Sequence, residues 1–233
     1  HMCNSGSIAA SEVYDRTKTV MISPSATADE VTTKGLATIL RVSWNDTIQG
    51  KAAADYSIKA LQPKSVAILH DKSPYGQSLA EGFRKGIEAG GVKVGIYEGL
   101  TRGESDFQPL LTRVMQADPS LIYFGGMAPE AALLVRQMKE LGLKAVFVSG
   151  DGAFERREFI EAAGGAAEGA IITYVKASEG PGYADWKKRF EVKFGPVGAF
   201  TALGYYAASI LMKAAEKVAQ RMPDGSLVLG KKA

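Results

Sequence analysis

Short, nearly unbroken apolar runs alternate with longer amphipathic stretches through most of this chain, and few folds accept that rhythm. Ser65-Val66-Ala67-Ile68-Leu69-His70 is the clearest run, flanked by Pro63 and by Ser73-Pro74. Val20–Ser23, closed by Pro24, comes before it, and Lys93–Tyr97, Leu121–Phe124, Ala145–Val148 and Ala170–Thr173 follow. These runs are β-branched or aromatic and continuous rather than alternating, as strands buried on both faces are. Between them, Ser78–Ala89 carries Leu79, Phe83 and Ile87 at four-residue spacing and stops at Gly90-Gly91. Asp106–Ala117 opens on an acidic turn and carries Phe107, Leu110, Leu111 and Val114. A third helix starts at Pro129 and runs through Leu134, Val135 and Met138 to Gly142. Strands separated by helices imply right-handed crossovers and a parallel sheet. The spacing therefore predicts one complete α/β lobe over residues 46–173, with helices on both faces of a parallel sheet.

The two ends read as incomplete. Residues 1–42 supply one helix, one strand and a loop. Residues 177–233 supply helices over Gly182–Phe194 and Thr201–Val218, and then a turn, Asp224-Gly225-Ser226-Leu227, with nothing after it. Each flank alone buries too little, so both are expected to pack together as parts of a second lobe whose sheet is only partly present. Uncovered apolar edges would follow. The chain is accordingly expected either to associate with a second copy or to be a piece of a longer polypeptide.

Composition removes several classes of function. The net charge is +3 and the 28 basic residues are dispersed; the densest run, Lys187-Lys188-Arg189, fits a solvated helix face. No nucleic-acid module or basic stripe is present, so no nucleic-acid partner is expected. Cys3 is the single cysteine, which rules out an internal disulfide and the C-x-x-C metal patterns. No apolar run approaches the ~20 residues of a membrane helix. No signal peptide precedes His1, so any export signal is expected outside this sequence, and His1-Met2 reads as a cloning remnant or as native sequence. There is no G-x-S-x-G elbow, no P-loop and no G-x-G-x-x-G after a strand. No cofactor, metal or catalytic residue is expected, and His70 beside Asp71 at a strand end reads as structural rather than as an acid–base pair.

Loops at the carboxyl ends of parallel strands are where open sheets bind ligands. Here they are Pro24-Ser25-Ala26-Thr27, Asp71-Lys72-Ser73-Pro74-Tyr75-Gly76, Gly125-Gly126-Met127-Ala128-Pro129-Glu130 and Ser149-Gly150-Asp151-Gly152. Hydroxyls, glycines, one aromatic ring and one carboxylate suit a zwitterion. Thr27 with backbone amides would hold a carboxylate and Asp151 would face an ammonium. The same residues also fit a helix cap at Thr27 and a plain turn at Asp151-Gly152.

In order and spacing these stretches resemble the leucine/isoleucine/valine-binding proteins of bacterial ABC importers. Met21-Ile22-Ser23-Pro24-Ser25-Ala26-Thr27, His70 through Gly76, Gly125-Gly126 with Pro129-Glu130, Gly150-Asp151-Gly152 and Ala167-Glu168-Gly169 carry the likeness. It runs along nearly the whole chain. It implies a type I periplasmic-binding-protein fold: two α/β lobes joined by three crossing strands, with the ligand in the cleft. Residues 43–176 would then be the second lobe with its two hinge crossings. Residues 1–42 and 177–233 would be pieces of an incomplete first lobe. Family chains begin earlier and continue past Ala233, and His1-Met2-Cys3 itself resembles the family just before its ligand-binding serines, so an internal fragment is expected.

The resemblance also implies a set of binding residues. The family's carboxylate-binding serine falls on Asn4, a departure. Its carbonyl-, amide- and hydroxyl-bearing loop falls on Ser25, Ala26 and Thr27, and Thr27 matches. One cleft tyrosine matches Tyr75, and a second falls on Met127, which is less polar and more adaptable. The ammonium-binding glutamate falls on Asp151, one methylene shorter, and an aromatic near the ligand falls on Phe200. The implied function is capture of an amino acid, branched-chain or otherwise apolar, in the periplasm or another extracytoplasmic space, and delivery to a membrane permease. Two other readings stay open: a ligand-sensing regulatory or receptor domain of the same fold, and a small α/β enzyme using His70 and Asp71.

Overall fold

A computed structural model describes residues 2–229; His1 lies outside the described residues. In chain order the main elements are α1 (Asn4–Arg16), β1 (Met21–Ser23), α2 (Glu30–Thr33), β2 (Ile39–Arg41), α3 (Asp46–Tyr56), β3 (Ser65–His70), α4 (Pro74–Ala89) and β4 (Lys93–Gly99). They continue with α5 (Gln108–Gln116), β5 (Leu121–Gly125), α6 (Ala128–Glu140), β6 (Val146–Ser149), β7 (Ile171–Ile172), α7 (Tyr183–Phe194), α8 (Thr201–Val218), β8 (Ala219–Arg221) and β9 (Leu227–Leu229). Two compact units result. The larger holds Thr27–Glu30 and Trp44–Val175; the smaller holds the residues up to Ala26, Val31–Ser43 and those from Lys176 on.

In the larger unit five parallel strands lie in the order β4-β3-β5-β6-β7. Alternate side chains of each strand feed two separate cores. Val66, Ile68, Leu121, Tyr123 and Val148 pack with Ala53 of α3 and with Leu79, Phe83 and Ile87 of α4. Ala67, Leu69, Ile122, Phe124 and Phe147 pack with Leu111 and Val114 of α5 and with Leu134 and Val135 of α6. Burial on both faces is why these runs lack polar alternation. Phe83 and Tyr123 stack at 3.9 Å between centroids with 4° between ring planes.

Two helix boundaries differ from the sequence expectation for local reasons. α4 starts at Pro74 rather than Ser78, because the Ser73 hydroxyl accepts the Gly76 N–H at 3.0 Å and Pro74 occupies the first turn. α5 starts at Gln108 rather than Asp106, because the Asp106 carboxylate sits outside the helix and accepts the Gln108 N–H at 3.0 Å. α3 had no apolar stripe to announce it. Its N-cap, Asn45, accepts the Ile48 N–H at 2.9 Å. Beside Asp46 and Gln49, its buried face holds the small residues Gly50, Ala53 and Ala54, and the helix is set against Gly82 and Gly86 of α4. A Cβ added at Gly50 would collide with the Phe83 backbone nitrogen and lie 2.7 Å from the Leu79 carbonyl oxygen.

In the smaller unit β1 and β2 pair in parallel, with Met21 opposite Ile39. The sequence suggested one strand in this region; Ile39-Leu40-Arg41 is three residues long and leaves no periodicity to read. The segment read as a turn with nothing following is the tip of an antiparallel hairpin, in which Ala219 pairs with Leu229. Asp224 closes it, accepting from the Ser226 N–H at 2.9 Å and hydroxyl at 2.6 Å. Trp186 of α7 is buried among Tyr183, Phe190 and Tyr205, whose rings lie 5.5, 5.4 and 5.1 Å away. Lys187, Lys188 and Arg189 are exposed, a solvated face.

Candidate functional site

The carboxyl ends of β3, β5 and β6 bring three loops to one edge of the larger sheet. The loop after β3 is fixed from within. Asp71 accepts the Ser73 N–H at 2.9 Å and its hydroxyl at 2.6 Å, and the Asp71 N–H donates to the Gly125 carbonyl at the end of β5 at 3.0 Å. Tyr75 therefore enters the first turn of α4 in a set position, 8% exposed. Its hydroxyl donates to Asp151 Oδ1 at 2.9 Å and accepts the Gly152 N–H at 2.8 Å. Asp151 opens a short 3-10 turn, Asp151–Ala153, directly after β6. Only glycine fits at 152: a Cβ there would lie 2.6 Å from the Gly126 carbonyl oxygen and 2.9 Å from the Tyr75 hydroxyl.

Burial governs the electrostatics of this corner. It pushes the Asp151 carboxyl above its usual range, while the hydrogen bond from Tyr75 pulls the other way and only partly offsets it. The Tyr75 phenol is pushed well above its ordinary value by burial and then by the negative charges of Asp151 and Asp46, so it stays a neutral donor. Tyr123, one core layer deeper, is raised for the same reasons, and its hydroxyl has no hydrogen-bond partner among the described residues. The result is a carboxylate in a low-dielectric corner, held by a neutral donor and facing no cation in hydrogen-bond reach among those described. Such a group favours a cationic ligand. Among the described residues no group of three His, Cys, Asp or Glu side chains could hold a metal ion.

Of the eight residues expected to bind ligand, four lie on the larger unit. Tyr75 and Asp151 are brought together directly. Met127 is the N-cap residue of α6 and is 39% exposed. Thr27 is 1% exposed, and its carbonyl accepts the Asp46 N–H at 3.0 Å at the start of α3. The other four lie on the smaller unit. Asn4 is the first residue of α1. The Ser25 hydroxyl donates to the Met2 carbonyl at 3.0 Å, and the Ala26 N–H donates to the Ser23 hydroxyl at 2.9 Å. Phe200 is the N-cap residue of α8, its carbonyl accepting the Gly204 N–H at 2.9 Å. His70 Nδ1 accepts the Lys72 N–H at 3.2 Å, so that His70 and Asp71 each serve their own loop.

Comparison with known proteins gives a consistent picture. The periplasmic binding protein family pattern matches residues 2–229. The chain is 44% identical over 176 residues to an amino acid binding protein of Pseudomonas aeruginosa, covering 75% of this chain and 47% of that one. It is 35% identical over 226 residues to the leucine-, isoleucine-, valine-, threonine- and alanine-binding protein of the same organism, covering 96% and 60%. Among solved structures, a leucine binding protein of Thermotoga maritima superposes with a TM-score of 0.85 at 30% identity, over 94% of this chain and 63% of that one. An isoleucine-bound branched-chain amino acid binding protein of Streptococcus pneumoniae gives 0.79 at 26% identity, over 92% and 62%. A type 1 periplasmic binding protein of Bordetella pertussis, 21% identical with a TM-score of 0.81, shares the fold. The chain thus spans 47% to 60% of the length of these two curated relatives.

Proposed function

The chain belongs to the periplasmic binding protein family and has its type I α/β fold, and from that premise we propose that the protein captures an amino acid outside the cytoplasm and hands it to an ABC import permease. The observation that carries this is Asp151, a partly buried carboxylate bonded to the neutral Tyr75 hydroxyl at 2.9 Å. An α-ammonium supplies the positive charge that offsets the cost of burying such a group. Tyr75 and Met127 flank the ligand side chain. The exposed thioether adapts to several apolar shapes, which suits a broad small-apolar specificity like that named for the Pseudomonas aeruginosa relative. Thr27 is the proposed carboxylate donor on the larger unit. Asn4, Ser25, Ala26 and Phe200 are proposed as further contacts on the resemblance alone. Delivery requires that a permease distinguish loaded from empty protein, which hinge closure around a ligand provides.

The test is titration calorimetry of the full-length protein with L-leucine, L-isoleucine, L-valine, L-threonine and L-alanine. At least one is expected to bind, and Asp151→Asn is expected to weaken that binding by about 2–5 kcal/mol with the fold intact by circular dichroism. Unchanged affinity in Asp151→Asn would mean that no ammonium sits at this carboxylate, and the amino-acid reading would fall with it.

A further inference from the structure

Thr27 stands in a stretch, residues 26–28, that belongs to no helix or strand. Thr27–Glu30 are part of the larger unit although their chain neighbours on both sides, Ala26 and Val31, are part of the smaller. A segment without its own ladder is held in place by the bonds it makes to its neighbours. Here the Thr27 carbonyl accepts the Asp46 N–H of α3 at 3.0 Å. Two residues on, Asp29 makes a second tie. Its Oδ2 accepts the Thr47 hydroxyl of α3 and the Ser78 hydroxyl of α4, the latter at 3.2 Å. The Ser78 oxygen in turn accepts the Asp29 N–H at 3.3 Å, so Asp29 and Ser78 bond each other reciprocally.

The packing of the two helices brings those hydroxyls to one oxygen. Ser78 and Gly82 stand one turn apart on the same face of α4. A Cβ at Gly82 would lie 2.8 Å from Thr47 Cα and 2.9 Å from the Asp46 carbonyl oxygen. Glycine there lets the first turn of α3 lie directly on α4, with Thr47 and Ser78 both in reach of Asp29. The other carboxylate oxygen, Oδ1, is buried with no hydrogen-bond partner among the described residues. An orphaned buried acceptor is a cost, and an apolar side chain would avoid it. What the carboxylate supplies in return is a single oxygen that accepts from two helices at once.

We propose that Asp29 is the positioning residue for Thr27, fastening the Thr27–Glu30 segment to the first turn of α3 and to α4 so that Thr27 meets a ligand carboxylate from a fixed place on the larger unit. This rests on the amino-acid reading of the site, in which Thr27 is the carboxylate donor. Thr27 and Asp151 then belong to one body, and the spacing of the groups that face the two poles of the ligand is set by it.

The experiment uses the full-length protein with Asp29→Ala, which removes the shared acceptor. Two readouts are taken. Without ligand, hydrogen exchange is followed at the Asp46 amide, which reports the place of Thr27 because the Thr27 carbonyl is its acceptor, and at the amides of β3 and β5. With ligand, calorimetry is run on whichever of the five amino acids the wild type binds. The Asp46 amide is expected to exchange about tenfold faster in Asp29→Ala while β3 and β5 are unchanged, and affinity to fall about tenfold. That fall should be smaller when Thr27→Ala is already present. If Asp29→Ala does not fold, Ser78→Ala, which removes one of the two hydroxyls and leaves the carboxylate in place, gives the same readouts in the same direction. An unchanged Asp46 exchange rate, an acceleration shared by β3 and β5, or an equal loss of affinity in the Thr27→Ala background overturns the proposal. Failure of the wild type to bind any of the five overturns the amino-acid reading instead, and the ligand-free exchange still decides whether Asp29 places Thr27.

Discussion

A carboxyl pushed up by burial holds its proton more tightly in the folded than in the unfolded chain. At Asp151 this makes a contribution to stability that is fully present below the ordinary carboxyl value of about 3.9 and is lost as pH rises through the raised value of the folded state. Ligand binding has the opposite sign. A bound ammonium favours the ionised carboxylate, so amino-acid affinity should be full above the Asp151 pKa of the free protein. It should drop by about tenfold per pH unit as pH falls through that value, with the drop abolished in Asp151→Asn. Calorimetry over a pH series checks this, and a flat profile in the wild type would contradict it. The positions of Asp151 and Tyr75 were legible in the sequence, because each closely follows the carboxyl end of a strand. Their bond was not, since 76 positions separate them and no periodicity links residues so far apart. Asp29 was illegible for a different reason: its partner Thr47 lies on α3, a helix that no apolar stripe announces.

That helix shows what apolar periodicity can and cannot report. The strands over Ser65–His70 and Leu121–Gly125 were read nearly to the residue because burial on both faces leaves continuous apolar runs. α3 buries backbone and methyl groups against α4, and glycine and alanine carry no hydrophobic stripe. β2 is too short for any period, and β9 is made by a hairpin turn whose Asp224–Ser226 bonds are local. The close helix approach is testable. Gly50→Ala places a methyl group against the Phe83 nitrogen and within 2.7 Å of the Leu79 carbonyl oxygen. Both are backbone atoms, which cannot swing aside as a side chain would. Overpacking of this kind costs about 1–3 kcal/mol, expected as a lower urea midpoint with an unchanged slope.

At the scale of the whole molecule the two units differ in how well they cover themselves. The larger has a five-stranded sheet with helices on both faces and two cores made largely of fully buried side chains. The smaller has a pair of three-residue parallel strands, a hairpin and three main helices, and its apolar residues are left in view. Val192 is 85% exposed and Phe194 65% on α7, and Ile210, Leu211, Met212 and Val218 are exposed along α8. Val20 and Leu40 are exposed at the short strand pair. Exposed apolar side chains in such number promote association where they lie together on a surface. An unpaired strand edge adds backbone donors and acceptors ready for another strand. The 233-residue chain produced alone should therefore sediment as more than a 24.8 kDa species and bind an apolar dye. Surface changes such as Phe194→Lys together with Leu211→Lys should reduce both signals without altering the circular dichroism of the larger unit. Sedimentation velocity gives the answer: a dilute, monodisperse monomer that binds no dye would show that the smaller unit covers its apolar face by itself.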